Sequence, residues 1–238
     1  MPSATRELTF FLAEPERRLL RAIADRLPPN IRSNHLTALG VVGAVLAGTA
    51  YALSARNPVW LWAASASLVV NWFGDSLDGT LARVRRAERP RYGYYLNHSV
   101  DAFSTAVIGL GLGLSPHVDF ALALGLVLAY LVLSINIYLE TAVFGAFRLG
   151  YGRIGPTEAR LVLIAGNTVL ATLPVGQIAN MVLAAALLGM LGMVALRFGR
   201  NLRALARLEP QFTIPSNAVA HLRNPGAQGR APSGDPGT

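Results

Sequence analysis

Long apolar segments separated by short polar breaks dominate this 238-residue sequence. A helix needs roughly 20 residues to cross a bilayer. Six segments approach that length, and they lie at about 36–53, 59–80, 94–114, 119–147, 157–173 and 177–197. Only 14% of the residues are charged, whereas about 25% are charged in an average soluble domain. We therefore predict an all-α membrane protein with six transmembrane helices.

The basic residues are all arginines, and they flank the apolar segments. Six precede the first predicted span, five lie in 83–92, three in 148–160 and six after the last span, whereas the three opposite loops hold only Arg56. Because arginine-rich loops stay in the cytoplasm, we expect both termini on the cytoplasmic side of a bacterial inner membrane. The net charge of +8 then serves topology and lipid head groups, so no nucleic acid partner is expected.

An amphipathic helix is predicted over residues 15–27, ahead of the first span. Its apolar residues Leu19, Leu20, Ile23 and Leu27 share one face, and its arginines lie elsewhere. Because a span follows directly, we expect this helix to lie in the membrane interface. A surface helix packed on the protein is the alternative.

The sequence divides into a cytoplasmic N-terminal segment 1–33, a six-helix catalytic domain 34–209 and a tail 210–238 that is rich in Pro, Gly and Ser and predicted to be disordered. Small residues on the first and third spans predict close helix packing and permit a dimer. They are Gly40, Gly43, Ala47, Gly48, Gly109, Gly111 and Gly113.

Acidic residues are costly inside a membrane, so those in the predicted spans indicate a functional site. Asp75 and Asp78 lie three residues apart near the end of the second span and share one helix face. Gly93, Asn97 and Asp101 follow at intervals of four at the start of the third span. If the two faces meet across the short cytoplasmic loop, three carboxylates and one amide converge just inside the bilayer.

Such a cluster needs positive charge, because carboxylates in a low-dielectric setting are costly to bury and repel one another. A hard divalent cation such as Mg²⁺ takes oxygen ligands. A metal ion with Arg83 nearby suits a diphosphate substrate. The alternative is that Asp75 and Asp78 merely end a helix. The helix dipole disfavours acids at that position.

A longer pattern across 75–101 resembles the signature of the CDP-alcohol phosphotransferase family, D-x-x-D-G-x-x-A-R followed by G-x-x-x-D-x-x-x-D. The matching residues are Asp75, Asp78, Gly79, Ala82, Arg83, Gly93 and Asp101. The resemblance implies a site with two Mg²⁺ or Mn²⁺ ions and a CDP-alcohol donor. A second alcohol attacks the donor and CMP is released. It also implies that at least one substrate is a lipid, and it suggests a homodimer.

By the same resemblance, Asp101 is the general base. The implied metal ligands are Asp75, Asp78, Asn97 and Asp101. The implied CDP contacts are Asp75, Gly79, Ala82, Arg83 and Gly93. Two positions depart from the family's pattern, since nine residues separate Arg83 from Gly93 where eight is usual, and Asn97 stands where the family has an aspartate.

Two other classes of protein stay open. A catalytically silent relative that binds nucleotide or lipid is motivated by Asn97, because an amide ligand brings no charge. A small ion-coupled transporter is disfavoured, because its site is expected near the middle of the membrane, whereas these acids lie at the helix ends.

Three further residues are candidate contacts for the acceptor or another part of the substrate: His98, Glu140 and Glu158. Glu158 ends a G-P-T-E segment at 155–158, which either initiates the fifth span or resembles a segment in relatives of choline and ethanolamine phosphotransferases. Glu140 lies within two helix turns of Arg148, so a structural polar contact is its alternative role. His98 adjoins Asn97 but points away from its face.

Overall fold

Seven α-helices account for most of residues 12–144, 155–173 and 176–209, which the computed structural model describes. They are α1 (Ala13–Ala24), α2 (Ser33–Leu53), α3 (Trp60–Val84), α4 (Pro90–Gly113), α5 (Phe120–Phe144), α6 (Pro156–Thr172) and α7 (Gly176–Leu208). The described residues contain no strand, so the all-α class is confirmed. Each helix from α2 to α7 overlaps one of the six predicted spans.

Three of these helices, α2, α5 and α7, are long and apolar enough to cross a membrane. They indicate an integral membrane protein. Helix α6 has 17 residues and carries Glu158 and Arg160, and α3 and α4 carry the acidic residues of the predicted site. The six-span arrangement therefore stays a prediction.

The described chain divides into one compact unit that ends at Arg197 and another that begins at Phe198 and contains the last residues of α7. The predicted boundary at 209 stays a prediction. Residues 1–11 and the predicted disordered tail 210–238 lie outside the described residues.

Helix α2 packs closely against α3 and α4 through glycines. A Cβ atom added to Gly74 of α3 would collide with the Gly40 backbone, and one added to Gly111 of α4 would collide with the backbone of Gly48. In both cases the added atom would clash with the backbone of a packed helix, which cannot shift as a flexible side chain can. The predicted role of small residues on α2 and α4 in close packing is confirmed.

A buried polar network joins α6 to α2 and α3. The Tyr51 hydroxyl donates to Asn167 Oδ1 at 2.9 Å, and Asn167 Nδ2 donates to Ser65 Oγ at 3.0 Å. All three residues are buried. Because buried polar groups are costly without partners, this network fixes the register of α6 on the rest of the protein.

Helix α1 packs on the same unit as α2 and α3. Its Leu20 and Ala24 are buried in a cluster with Leu36, Leu77 and Leu81. Helix α1 runs from residue 13 to residue 24, so it begins and ends earlier than the predicted 15–27. Its placement in the membrane interface stays a prediction.

Candidate functional site

The end of α3 presents Asp78 to α2. Asp78 is 8% exposed. One of its carboxylate oxygens accepts a hydrogen bond from the Thr37 hydroxyl at 2.6 Å, and the other accepts one from the Gly79 amide. Helix α3 continues to Val84, so the motif residues Ala82 and Arg83 are helical. Nothing in the sequence singles out Thr37, because its role depends on the packing of α2 on α3.

The start of α4 presents the other half of the motif. Helix α4 begins at Pro90, which places Gly93 in its first turn. Asn97 Nδ2 donates to Asp101 Oδ2 at 3.4 Å. The amide at this position therefore contacts the proposed general base, and it stabilises negative charge there.

The two halves meet, as the spacing predicts. The carboxyl groups of Asp75, Asp78 and Asp101 lie close enough for their charges to interact with one another. Three acidic side chains from adjacent helix ends therefore share one small region. Such an arrangement requires nearby positive charge.

Arg160 of α6 supplies part of that charge. Its Nη2 atom donates to Asp75 Oδ2 at 2.8 Å, and its Nε atom donates to Asn71 Oδ1 at 3.0 Å. The side chains of Asp75 and Arg160 are 18% and 16% exposed, so the pair is largely shielded from solvent.

Sequence reasoning missed this role of Arg160. It was counted with the loop arginines of 148–160, but it lies inside α6. A charged residue within the apolar segment 157–173 is a functional signal by itself, and it could have identified Arg160. Asn71, a polar residue within the second predicted span, carries the same signal.

Glu140 of α5 pairs with Arg197 of α7. Its Oε2 atom accepts hydrogen bonds from Arg197 Nη2 at 2.9 Å and Nε at 3.2 Å. The sequence suggested Arg148 as a partner, and Arg148 lies outside the described residues. Arg197, one of the arginines that the sequence places after the last span, provides a polar contact.

Glu158 accepts two backbone hydrogen bonds at the start of α6. Its Oε2 atom accepts from the Gly155 amide at 2.9 Å, and its Oε1 atom accepts from the Leu12 amide at 2.9 Å. The first contact is the helix-initiating role that was one of its two predicted alternatives. The second joins α6 to the residue before α1. A role in contacting the acceptor stays a prediction.

His98 lies among aromatic rings next to the acids. Its ring is 4.3 Å from that of Tyr94 and 4.7 Å from that of Tyr138, measured between centroids. Its Nδ1 atom is 3.8 Å from Asp101 Oδ2. His98 therefore lies near the acids, and its contact with substrate stays a prediction.

The oxygen donors of this region fit a hard cation, because carboxylates and amide oxygens are the ligands that Mg²⁺ and Mn²⁺ prefer. In the described part of the chain, no three His, Asp or Glu side chains are gathered closely enough to hold one ion together. The donor type thus agrees with a metal site, and the assignment of individual ligands stays a proposal.

This geometry defines a class of protein. It is an all-helical membrane protein in which two adjacent helix ends share an acidic cluster. A family model described as CDP-alcohol phosphatidyltransferase matches residues 30–198. The chain therefore belongs to the CDP-alcohol phosphatidyltransferase family, whose members are generally metal-dependent.

The chain is also similar to a phosphatidylinositol phosphate synthase from Cutibacterium acnes, with 32% identity over 98 residues. The matched segment covers 41% of this chain and 45% of that relative. The chain thus matches less than half the length of this curated relative.

Proposed function

We propose that this protein transfers a phosphate-linked group from a CDP-alcohol to a second alcohol and releases CMP, as a step of phospholipid biosynthesis. The observation that carries the proposal is the convergence of Asp75, Asp78 and Asp101 from α3 and α4 in a chain of this family. Family membership alone gives the class of reaction. The convergence supports the ends of α3 and α4 as the proposed location of that reaction.

In the proposed reaction, the acceptor hydroxyl attacks the phosphorus atom that carries the donor alcohol. A new oxygen–phosphorus bond forms, the bond from that phosphorus to the CMP oxygen breaks, and CMP leaves with the electron pair. Asp101 takes the proton from the attacking hydroxyl. Asn97 supports this role because its amide donates to Asp101 and orients the carboxylate.

Two Mg²⁺ or Mn²⁺ ions would be held by Asp75, Asp78, Asn97 and Asp101. When bound, they would supply Lewis-acid stabilisation of the diphosphate charge. Thr37 orients the Asp78 carboxylate, and Arg160 contacts Asp75 through its Nη2 atom. These neighbours fix the positions of the proposed ligands.

The CDP group is proposed to contact the small residues of the motif and Arg83. A Cβ atom on Gly79 would lie 3.4 Å from the Arg83 guanidinium, and one on Gly93 would have no neighbour within 4 Å. There is therefore open space beside Gly93, whereas a side chain at position 79 would contact the Arg83 guanidinium. Arg83 is exposed, and its guanidinium suits a diphosphate.

The active site and both termini are proposed to face the cytoplasm of a bacterial cell, with at least one lipid substrate and a homodimeric assembly. The arginine distribution supports the orientation. Because the chain has no cysteine, Ala87→Cys and Pro116→Cys introduce single labelling sites in two different loops. We expect an impermeant thiol reagent to label intact cells at position 116 and not at 87. The opposite pattern would reverse the topology.

A catalytically silent relative is the second candidate, and Asn97 favours it. The family pattern has a carboxylate at this position, and the amide removes one negative charge from the cluster. A silent protein would bind nucleotide or lipid without releasing CMP. Activity of the natural protein distinguishes the two candidates.

The test is CMP release by the purified protein in lipid, with Mg²⁺ or Mn²⁺, across a series of CDP-alcohols and acceptors. The series includes formation of phosphatidylinositol phosphate, the product in the relative's name. We expect CMP release from at least one donor, loss of it in Asp75→Asn, and full retention in Asp25→Asn, whose exposed side chain lies at the end of α1. A folded natural protein that releases no CMP from any donor would contradict the proposed reaction.

A further inference from the structure

Glu16 on α1 connects three helices. Its Oε1 atom accepts hydrogen bonds from Trp72 Nε1 at 2.8 Å and Ser76 Oγ at 3.1 Å, both on α3. Thr157 Oγ1, on α6, lies 2.9 Å from the same oxygen and 3.0 Å from Oε2. This carboxylate therefore links the start of α6 to α3, and it does so from a helix that lies outside the motif of residues 75–101.

Two other contacts hold α1 in this position. The Glu158 carboxylate accepts from the Leu12 amide at the start of α1. Beyond its end, the Arg85 guanidinium donates to the carbonyl oxygens of Leu27 at 3.0 Å and Pro28 at 2.8 Å. Since α1 is fixed at both ends, Glu16 is held in place rather than free to follow α6.

The contacts of Glu16 run parallel to those of Arg160. Thr157 and Arg160 lie three residues apart on α6, so they share a face. Glu16 joins that face to the 72 and 76 positions of α3, and Arg160 joins it to the neighbouring 71 and 75 positions. The network around Asn167 holds the middle of α6, so loss of the Glu16 contact loosens the first turn of α6, next to Arg160.

We propose that Glu16 is a positioning residue for the acidic site, which it serves by fixing α6 so that Arg160 remains on Asp75. The inference rests on the proposed function, because it takes the acidic cluster to be a metal site. The guanidinium of Arg160 reduces the negative charge that an incoming cation meets. Glu16 thereby sets how tightly this site binds a divalent ion, although it is not one of the proposed metal ligands.

An electrostatic role and a purely structural role of Glu16 predict opposite changes in the Kd for Mn²⁺ when Glu16 is replaced by alanine. If Glu16 acts through Arg160, Glu16→Ala weakens the contact of the Arg160 guanidinium with Asp75. The guanidinium then competes less with Mn²⁺, which binds more tightly. If Glu16 only stabilises the fold, the variant loosens the site and Mn²⁺ binds more weakly. The direction of the change therefore separates the two accounts.

The experiment is a Mn²⁺ titration of the purified full-length protein in lipid, followed by the electron paramagnetic resonance of the free ion. We expect Arg160→Gln to lower the Kd for Mn²⁺ by about tenfold and Glu16→Ala to lower it by about threefold. Changes of this size are typical of coupling between residues of one hydrogen-bond network. In the Arg160→Gln background, Glu16→Ala should have no further effect. Additive effects, an unchanged Kd or weaker binding in Glu16→Ala would overturn the proposal.

Glu14 is the matched control, because it lies on α1 but pairs with Arg17 and Arg18 of the same helix. Glu14→Ala should leave the Kd unchanged. If Glu16→Ala does not fold, Thr157→Val removes the same link from α6 and should give the same threefold change.

The metal titration needs no turnover, so it is independent of the proposed reaction. A protein that shows the expected titrations but releases no CMP would overturn the reaction and leave the role of Glu16 intact. A natural protein that binds no Mn²⁺ would overturn the role of Glu16.

Discussion

Arg160 with Asp75 and Arg197 with Glu140 are two ion pairs of nearly equal geometry in different surroundings. The nitrogen–oxygen distances are 2.8 and 2.9 Å, and all four side chains are between 16% and 18% exposed. Asp75 also lies close to two more carboxylates, whereas the contact of Glu140 with Arg197 joins α5 to α7. The comparison teaches that a shielded ion pair does not by itself identify a site, and that the surplus of carboxylates around Asp75 does.

The largest expected effect belongs to the site with surplus charge. Asp75→Ala, Asp78→Ala and Asp101→Ala should each lower CMP release by about 10³-fold or more, because each removes a proposed metal ligand or the general base. The measurement is CMP release at saturating Mg²⁺, with insertion into the membrane checked separately. Full activity in any of the three would remove that residue from the site.

The Glu140–Arg197 pair should affect stability before activity. Glu140→Ala removes the carboxylate from a shielded ion pair, which costs about 3 kcal/mol of unfolding free energy. The double variant Glu140→Gln and Arg197→Gln should recover most of that loss and keep CMP release near the natural rate. Thermal unfolding in detergent measures the first effect. If the double variant is stable but has lost turnover at saturating acceptor, Glu140 contacts the acceptor as first predicted.

Asn97→Asp should increase the negative charge of the acidic cluster. The carboxylate adds a negative charge beside Asp101 in place of an amide that donates to it, so the site attracts divalent ions more strongly. We expect the Mg²⁺ concentration for half-maximal CMP release to fall by about tenfold, because the number of charged ligands tunes the affinity of a hard-cation site. The preferred CDP-alcohol should not change. If only the variant is active, the natural protein is a silent relative.

The smallest effect is expected at His98. His98→Phe keeps the ring contacts with Tyr94 and Tyr138 and removes the nitrogen 3.8 Å from Asp101. At that distance the interaction is weak, so CMP release should fall by no more than about threefold. His98→Ala, which removes the ring as well, tests the packing separately. A drop of more than about 30-fold in His98→Phe would indicate direct contact with the substrate.

Helix positions and the meeting of the acids could be predicted from the sequence, because both follow from local spacing. Intervals of three and four residues place Asp75 with Asp78 and Asn97 with Asp101 on single faces, and a short loop brings the faces together. The position of Gly93 in the first turn of α4 follows from Pro90. These inferences need no knowledge of how distant helices pack.

The neighbours of the acids could not be predicted in the same way. Arg160 and Thr37 reach Asp75 and Asp78 from α6 and α2, and no periodicity links residues so far apart in the chain. The contacts of Glu16 with α3 and α6 depend on the docking of α1 in the same way. Local spacing therefore predicted the acids, and tertiary packing decided their partners.

The most direct test of the contrast between the two ion pairs is a Mn²⁺ titration that compares Asp75→Asn with Glu140→Gln. Each variant replaces one carboxylate of an ion pair by an amide of nearly the same shape. We predict that the natural protein and Glu140→Gln bind Mn²⁺ with the same Kd, and that Asp75→Asn binds it at least tenfold more weakly. Equal binding by Asp75→Asn and the natural protein, or no binding by any of the three, would contradict a metal site at the ends of α3 and α4.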